Sequence, residues 1–519
     1  MTRYGVLVTT LAALLCQTAA QGPTLDIPGL GTVMGDTALS YVNDRIYYRF
    51  RGMPFAQQPA PGPVQPWAGV FNATRVGNRC PQVTVDIGNK TNPMRTNRLS
   101  TTEDCLYLSV YTPNPTAGAN MPVVVFFHGG AFEAGSGIIY DGQKFMDYDV
   151  ILVVAHYRLG PFGFLCLDTD DIPGNAGMLD QVAALQWTRD YINVFGGDSN
   201  AITIMGESAG AASVSLHNIS PLSTNMFKQF IPQSGGSTAI WAIDYNAVYA
   251  ATEIGKLLNC SSLEIPELTT CFQNDNELRE GRSPFQATSP VVQKAGAVRF
   301  LERKPRDILD SGEYTPHAAL IGANKHEGTL VYSSVQDQGE SVSAIMEKSH
   351  FGQANMGNYT AITPGLVDYF GNMFLKGPAY EQAQYNSKVA PTYLYGFHYF
   401  GDRSVWSFIG DPDVITGGVN HAQELLLQFD IPGLILSARD RAMSKTVMDL
   451  WINFIVNGNP TPATNPVEGV PTWPMFDGTT RFANYLVINE NSTSYVASDW
   501  TLNEFFVSGN EGFPWLTDH

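Results

Sequence analysis

One short segment constrains the fold of this chain more than any other: an apolar run that leads into a serine between two glycines. Residues 201–205 read AITIM and continue into GESAG at 206–210, after which small and apolar residues follow at helical spacing. A sharp turn that presents a serine between a strand and a helix needs very small residues two positions away on both sides. The segment therefore predicts a strand–turn–helix unit with Ser208 at the carboxyl end of the strand.

Further apolar runs predict a sheet that is covered by helices on both faces. Residues 121–127 and 150–155 are apolar at successive positions, as strands of a buried parallel sheet are. Apolar residues at helical spacing predict helices around 178–192 and 443–455, and Gly458 ends the second one. We therefore expect an α/β fold with a large, mixed, mostly parallel central sheet flanked by helices.

The N-terminal part of the chain differs from the rest. Residues 1–20 carry Arg3, a short apolar run and then small residues, which is the pattern of a secretory signal peptide. The run is too short to span a bilayer, which takes ~20 residues. Short alternating patches at 28–52 predict a small antiparallel β region. No composition shift marks a boundary after the signal, so we expect a single domain over 21–519 in a secreted, extracellular protein.

Charge and composition exclude several classes of partner. The formal net charge is −18, which disfavours nucleic acid and anionic membrane surfaces. No later segment is long and apolar enough for a membrane anchor, so we expect no stable attachment to a membrane. The sequence leaves the oligomeric state open.

Glycosylation sequons and cysteines agree with secretion. The predicted glycosylation sites are Asn72, Asn89, Asn259, Asn358 and Asn491. Asn218 also stands in a sequon, but Pro221 follows that sequon and makes Asn218 the weakest candidate. Five cysteines remain after the signal, so at least one thiol is free or pairs with another chain.

A nucleophilic serine needs a base, and the base needs an acid that orients it. Glu327 follows the predicted strand at 317–321 in a tight glycine-containing loop, which suits a buried acid. Its neighbour His326 should point away from the same centre. The candidates for the base further along the chain are His350, His398, His421 and His519.

Among these histidines, His421 is our choice for the base. It follows a glycine-rich loop after a strand-like stretch, whereas His398 lies inside that stretch and suits packing or the surface. Backbone donors for an oxyanion should come from Gly130 and Ala131, after the strand at 121–127, and from Ala209. His128, just before these donors, is a weak alternative as the base. This chemistry needs no metal and no cofactor.

Several blocks of sequence strongly resemble the type-B carboxylesterase/lipase family of α/β-hydrolases, which includes cholinesterases, secreted carboxylesterases and fungal lipases. The resemblance covers roughly residues 25–500 in order. The blocks are RGMPFA at 51–56, EDCLYLSVY at 103–111, YRLG at 157–160, GNAGMLDQ at 174–181 and FGGD…IMGESAG within 195–210.

The resemblance implies a secreted carboxylic ester hydrolase that forms an acyl-enzyme, with Ser208, Glu327 and His421 as its triad. It also implies the disulfides Cys80–Cys105 and Cys260–Cys271, which would leave Cys166 as a free, buried thiol. Two alternatives stay open. One is a lipase or sterol esterase that acts on aggregated lipid, and the other is a binding or adhesion relative with secondary catalysis.

Two departures from the family bear on the substrate. Where cholinesterases carry a tryptophan that holds choline, this chain has Arg95, which would repel a quaternary ammonium. In the lipases, the segment inside the first disulfide is an amphipathic lid. Here its apolar residues form no helical stripe, and Gly88 and Pro93 would interrupt a helix. We therefore expect neutral, dissolved esters of short to medium chain length as substrates.

Overall fold

Most strands of this chain belong to one large sheet. The computed structural model describes residues 22–57, 62–82, 101–274, 289–331, 359–405, 418–490 and 493–506. The strands in these ranges are β1 (Thr24–Ile27), β2 (Gly31–Met34), β3 (Asp36–Leu39), β4 (Ile46–Pro54), β5 (Val70–Asn72), β6 (Tyr107–Thr112), β7 (Met121–Phe127), β8 (Ile151–Ala155), β9 (Gly197–Glu207), β10 (Gln229–Gln233), β11 (Ala318–Asn324), β12 (Thr392–Phe397), β13 (Asn484–Ile488) and β14 (Tyr495–Ser498).

Eleven of these strands form the large sheet, in the order β14-β13-β12-β11-β10-β9-β7-β8-β6-β4-β3. The central strands from β8 to β13 in this order pair in parallel, and the strands at both edges pair antiparallel. The predicted fold class, a large mixed and mostly parallel sheet, is therefore confirmed. Parallel neighbours place their carboxyl ends at one edge, which is where ligands bind in open α/β sheets.

The N-terminal β region is more divided than the prediction. The strands β1 and β2 pair antiparallel as expected, but β5 joins β2 in parallel to complete a separate three-stranded sheet. The strands β3 and β4 extend the antiparallel edge of the large sheet instead. The alternating pattern at 28–52 indicates strands but carries no information on which sheet each strand joins.

Helices cover both faces of the large sheet. Two separate clusters of buried apolar side chains, one on each face, fill the space between the sheet and the helices. The described helices are α1 (Gly160–Phe164), α2 (Ala176–Tyr191), α3 (Ala209–Ile219), α4 (Ala247–Leu257), α5 (Ile265–Asn274), α6 (Pro305–Ser311), α7 (Tyr359–Gly371), α8 (Gly377–Ser387), α9 (Leu425–Gln428), α10 (Ala438–Asn457) and α11 (Trp500–Asn503). A π-helical turn, Asn372–Lys376, joins α7 to α8.

Helix α10 illustrates how the local sequence sets the ends of an element. Ser437 caps its N-terminus, because the Ser437 hydroxyl accepts a hydrogen bond from the Asp440 amide at 3.0 Å. Gly458 ends the helix with a left-handed backbone conformation, φ +69°. Among the described residues, the helices include none with the length and apolar character that crossing a bilayer requires.

Candidate active site

Ser208 lies on the sharp turn between β9 and α3, as predicted. Its backbone has φ 59° and ψ −119°, a conformation that an L-residue rarely adopts. The two flanking glycines allow the turn to close. A Cβ on Gly206 would come within 2.4 Å of the Gly210 backbone, and a Cβ on Gly210 would come within 2.0 Å of the Phe127 carbonyl oxygen. The turn therefore packs directly against the end of β7.

The turn that follows β7 packs against Ser208. A Cβ on Gly129 would lie 2.9 Å from Ser208 Cβ, so only glycine permits this approach. The backbone then turns through positive φ angles at Gly130 and Ala131. The amides of Gly130 and Ala131 donate no hydrogen bond to any other residue within the described part of the chain. Two amides beside the serine are therefore free to donate to a ligand.

Glu327 and His421 meet beside the same serine. The strand β11 ends at Asn324, and the loop after it carries Glu327, which is fully buried. His421 Nδ1 lies 2.6 Å from Glu327 Oε2. The other carboxylate oxygen, Oε1, accepts hydrogen bonds from the Asn324 amide at 2.6 Å and from the Ser234 hydroxyl. These contacts fix the carboxylate, and the carboxylate fixes the imidazole.

The opposite nitrogen of His421 faces a second carboxylate. His421 Nε2 lies 2.9 Å from Glu207 Oε1. The hydroxyl of Ser208 makes no hydrogen bond with His421 or any other described residue. Catalytic hydrogen bonds are often long before a substrate binds, so this geometry is compatible with Ser208 and His421 acting together.

Buried carboxylates control the electrostatics of the site. Burial acts to lower the pKa of His421, but Glu207 and Glu327 outweigh it and raise that pKa well above its usual value. Glu424, three residues after His421, is also fully buried. Burial, Glu207 and Glu327 together raise the pKa of Glu424 to about 7. The site therefore favours a positive charge on the imidazole ring.

The other described histidines along this part of the chain make contacts that suit a structural role. His398 Nε2 lies 2.9 Å from the buried Glu504 carboxylate. His326 accepts a hydrogen bond at Nδ1 from the Val419 amide at 2.9 Å, which ties the Glu327 loop to the chain just before His421. His350 and His519 lie outside the described residues.

His128 also has a structural role. The ring of His128 stacks on Tyr157 at 4.6 Å, and burial lowers the His128 pKa to about 3. A buried ring that is held neutral and packed against Tyr157 suits a structural role better than the weak alternative of His128 as the base.

Ser208 and His421 line one mostly apolar cavity of about 290 Å³. Its described walls contain the apolar side chains of Trp241, Phe374, Leu425 and Ile431. Of the described lining residues, Glu207 and His421 are the ones with an acidic or basic side chain. An uncharged, largely apolar molecule fits such walls best.

Comparison with known proteins identifies the family of this chain. A family model described as the carboxylesterase family matches residues 21–503. The chain belongs to the carboxylesterase family. It is 32% identical to the juvenile hormone esterase of Tribolium castaneum over 84% of each chain, and 30% identical to esterase FE4 of Myzus persicae over 83% of this chain and 84% of that one. It is also 30% identical to liver carboxylesterase B-1 of Rattus norvegicus over 91% of each chain.

Membership of the carboxylesterase family makes this chain a carboxylic ester hydrolase. The disulfides that the resemblance implied, Cys80–Cys105 and Cys260–Cys271, are both present. Cys166 is free, and only 1% of its surface is exposed. Burial raises the pKa of the Cys166 thiol to about 11.

Two residues that contact the site of this carboxylesterase, Ser234 and Glu424, were not predicted from the sequence. Ser234 follows β10 and contacts Glu327, and Glu424 accepts hydrogen bonds from Gln233 at 3.0 Å and from Asn324. The one available signal was Glu424 itself, a charged residue directly before the apolar residues Leu425–Leu427 that begin α9. Residues 83–100 of the loop inside the first disulfide, with Arg95, lie outside the described residues.

Proposed function

We propose that this carboxylesterase hydrolyses neutral, dissolved esters of short to medium chain length through an acyl-enzyme on Ser208. The observation that carries the proposal is the 2.6 Å hydrogen bond between His421 Nδ1 and Glu327, at a cavity that Ser208 also lines. The cavity volume of about 290 Å³ is at the low end for small-molecule sites, ~300–1,000 Å³, which favours small esters.

The proposed reaction has two halves. His421 Nε2 takes the proton of the Ser208 hydroxyl as Oγ attacks the ester carbonyl carbon. The amides of Gly130, Ala131 and Ala209 donate to the oxygen that becomes negative. The bond between the carbonyl carbon and the alcohol oxygen then breaks, and His421 gives its proton to the departing alcohol. In the second half, His421 takes a proton from a water molecule as the water oxygen attacks the acyl carbon. The bond between that carbon and Ser208 Oγ then breaks, and His421 returns the proton to Oγ, which releases the acid and restores the serine.

The role of Glu327 follows from charge. His421 becomes positive in the middle of each half reaction, and a buried carboxylate at 2.6 Å stabilises that charge and holds Nδ1 protonated. Glu207 on the opposite side adds a second negative charge near the ring. The helix α3 begins immediately after Ser208, so its N-terminal dipole also favours the negative oxygen.

Replacement of Ser208 by alanine tests the proposal. We expect Ser208→Ala to lower the turnover of p-nitrophenyl butyrate by several orders of magnitude, because only binding and oxyanion effects would remain. Ser213→Ala is the matched control. Ser213 is buried in α3, the helix that begins directly after Ser208, and its hydroxyl donates to the Ala209 carbonyl oxygen at 2.9 Å. Activity of Ser208→Ala within about tenfold of wild type would exclude Ser208 as the nucleophile.

A panel of substrates tests the preference. p-Nitrophenyl esters of rising chain length should give the highest kcat/KM for short to medium acyl groups. Acetylthiocholine should be a poor substrate, because the expected choline-binding tryptophan is replaced by Arg95. A clear preference for acetylthiocholine or for long acyl chains would contradict the proposed substrate class.

We also propose that the protein is secreted and N-glycosylated. Asn72 and Asn259 are both exposed, as a glycan requires. Asn218 is fully buried and accepts a hydrogen bond from His317 at 2.9 Å, which agrees with setting this sequon aside. Asn89, Asn358, Asn491 and the signal segment lie outside the described residues. N-terminal sequencing and glycan removal followed by mass spectrometry would test both parts of the proposal.

A further inference from the structure

A single glutamine side chain joins the first disulfide to the turn beside Ser208. Gln82 stands two residues after Cys80. Its Nε2 donates to the Gly135 carbonyl oxygen at 2.9 Å, and its Oε1 accepts from the Gly135 amide at 3.1 Å. The amide side chain thus pairs with the backbone N–H and C=O of one residue through both of its polar groups, 53 residues along the chain. A third hydrogen bond, from Nε2 to the Cys80 carbonyl oxygen at 3.1 Å, orients the side chain itself.

Gly135 is part of the turn that would bind the oxyanion. A Cβ on Gly135 would come within 2.5 Å of the Gly129 carbonyl oxygen and of His128 Nδ1, so these groups are in direct contact. The Ala134 amide donates to the Gly130 carbonyl oxygen at 2.9 Å, which closes the turn on itself. A displacement of Gly135 would therefore be transmitted to the Gly130 and Ala131 amides.

The disulfide fixes the chain segment that carries Gln82. Cys80 and Cys105 are both buried, and Cys105 lies just before β6 of the large sheet. The same segment makes a second link to the turn: the Asn78 carbonyl oxygen lies 3.0 Å from His156 Nδ1, and His156 Nε2 lies 3.4 Å from the Ser136 hydroxyl. The segment 78–82 thus supports the turn at two neighbouring residues.

We propose that Gln82 is a positioning residue for the oxyanion-binding turn and that the Cys80–Cys105 disulfide holds it in register. The inference rests on the proposed function, because it assumes that the Gly130 and Ala131 amides stabilise the transition state. Such stabilisation depends steeply on geometry, since a displacement of ~1 Å can cost about 100-fold in rate. Gln82 touches no reacting atom, so its contribution should be visible in kcat and not in KM.

Gln82→Met removes all three side-chain hydrogen bonds while keeping the length of the side chain. We expect kcat for p-nitrophenyl butyrate to fall about ten- to a hundredfold with KM within about twofold of wild type. Gln82→Glu keeps an acceptor for the Gly135 amide but loses the donor. Its kcat should therefore lie between those of wild type and Gln82→Met. If Gln82→Met does not fold, the kcat of Gln82→Glu decides the question.

Gln293→Met is the matched control. The Gln293 side chain also joins two chain segments through a backbone amide and a carbonyl: Oε1 accepts from the Phe300 amide at 2.7 Å, and Nε2 lies 3.5 Å from the Gly174 oxygen. Loss of these bonds should lower thermal stability and leave kcat unchanged. A kcat loss in Gln293→Met equal to that in Gln82→Met would make the Gln82 effect a general consequence of destabilisation and would overturn the inference.

The affinity for a transition-state analogue is a measurement that a purely structural role of Gln82 would not change. A trifluoromethyl ketone binds serine esterases as a tetrahedral oxyanion, so its Kd should weaken in Gln82→Met by the same factor as kcat/KM. Equal affinity of wild type and Gln82→Met for the analogue would overturn the inference, as would a kcat within about twofold of wild type. Failure of the proposed function is distinguishable, because Ser208→Ala would then retain activity.

The disulfides provide a second matched pair. Removal of the first one in Cys80→Ser/Cys105→Ser should lower kcat in the folded protein as Gln82→Met does. Removal of the second one in Cys260→Ser/Cys271→Ser, which joins α5 to the loop after α4, should not. A first-disulfide variant with wild-type kcat would show that Gln82 is placed without the disulfide and would overturn that part of the inference.

Discussion

His421 Nδ1 lies 2.6 Å from Glu327 Oε2, although 94 residues separate the two along the chain. A parallel bridge between His326 and Asn420 runs beside this contact, so the two loops are joined through their backbones as well as their side chains. The relative position of acid and base therefore depends on backbone pairing and not on the imidazole–carboxylate contact alone. Replacement of either side chain should leave the loops in place.

This arrangement predicts which histidine controls activity. His421→Ala should lower turnover as strongly as Ser208→Ala, because the base is removed while the bridged loops remain. His398→Ala should instead remove one hydrogen-bond partner of buried Glu504, which keeps the Tyr485 hydroxyl at 2.9 Å, and reduce the free energy of unfolding by about 1–3 kcal/mol. Turnover per folded molecule and urea unfolding of both variants separate the two effects. A loss of turnover in folded His398→Ala comparable to that in His421→Ala would transfer the base role to His398.

The carboxylates around His421 predict the pH dependence of activity. The base must be neutral to accept a proton, and the two carboxylates raise the His421 pKa, so kcat/KM should rise with pH through a limb above the unperturbed histidine value of ~6.5. Glu207→Gln removes one negative charge, lowers this pKa and should move the limb to lower pH. Glu253→Gln, an exposed carboxylate on α4, is the control. A limb that Glu207→Gln leaves in place would contradict the assignment.

Cys166 should be inert in the native protein. Thiolate is the reactive form, and burial raises the pKa of this thiol to about 11 while hiding the sulfur from solvent. Iodoacetamide at neutral pH should label it only after denaturant is added, and peptide mapping without reductant should recover Cys80–Cys105 and Cys260–Cys271 as pairs. Rapid labelling of the folded protein would show that the Cys166 site opens in solution.

The substrate form can be tested with an emulsion. We expect the rate of tributyrin hydrolysis to saturate below the solubility limit and to show no jump when droplets form. The reason is the composition of the segment inside the first disulfide, which lacks an amphipathic stripe. The measurement is initial rate against tributyrin concentration across that limit. A sharp increase at the appearance of droplets would favour the lipase alternative.

Local patterns in the sequence predicted the parts of this fold that depend on local physics. The unit around Ser208 is recognisable because a fully buried strand must be apolar and a tight turn must be small. The strand β10 was not predicted, since it begins and ends with buried glutamines and contains Pro232. Gln229 is accommodated there by hydrogen bonds to Thr203 and to the carbonyl oxygen of Phe454. Such partners come from distant parts of the chain and leave no local pattern.

The same distinction applies to the site. Glu327 and His421 could be proposed because their loops carry glycines and follow strands. The contacts of Ser234 and Glu424 with the site depend on the order of strands in the sheet, which no stretch of sequence contains. The free amides of Gly130 and Ala131 are backbone groups, so their value depends on turn geometry and not on side-chain identity.

The close packing of Gly129 and Gly210 has a consequence for laboratory evolution of this enzyme. Any side chain at these positions would collide with Ser208 or with the Phe127 carbonyl, so libraries that vary them should contain almost no active clones. Trp241, Phe374 and Ile431 line the cavity, and none of them is among the groups that pack closely against Gly129 or Gly210. A library randomised at those wall positions can therefore explore new ester preferences while the nucleophile and its supporting turn stay unchanged.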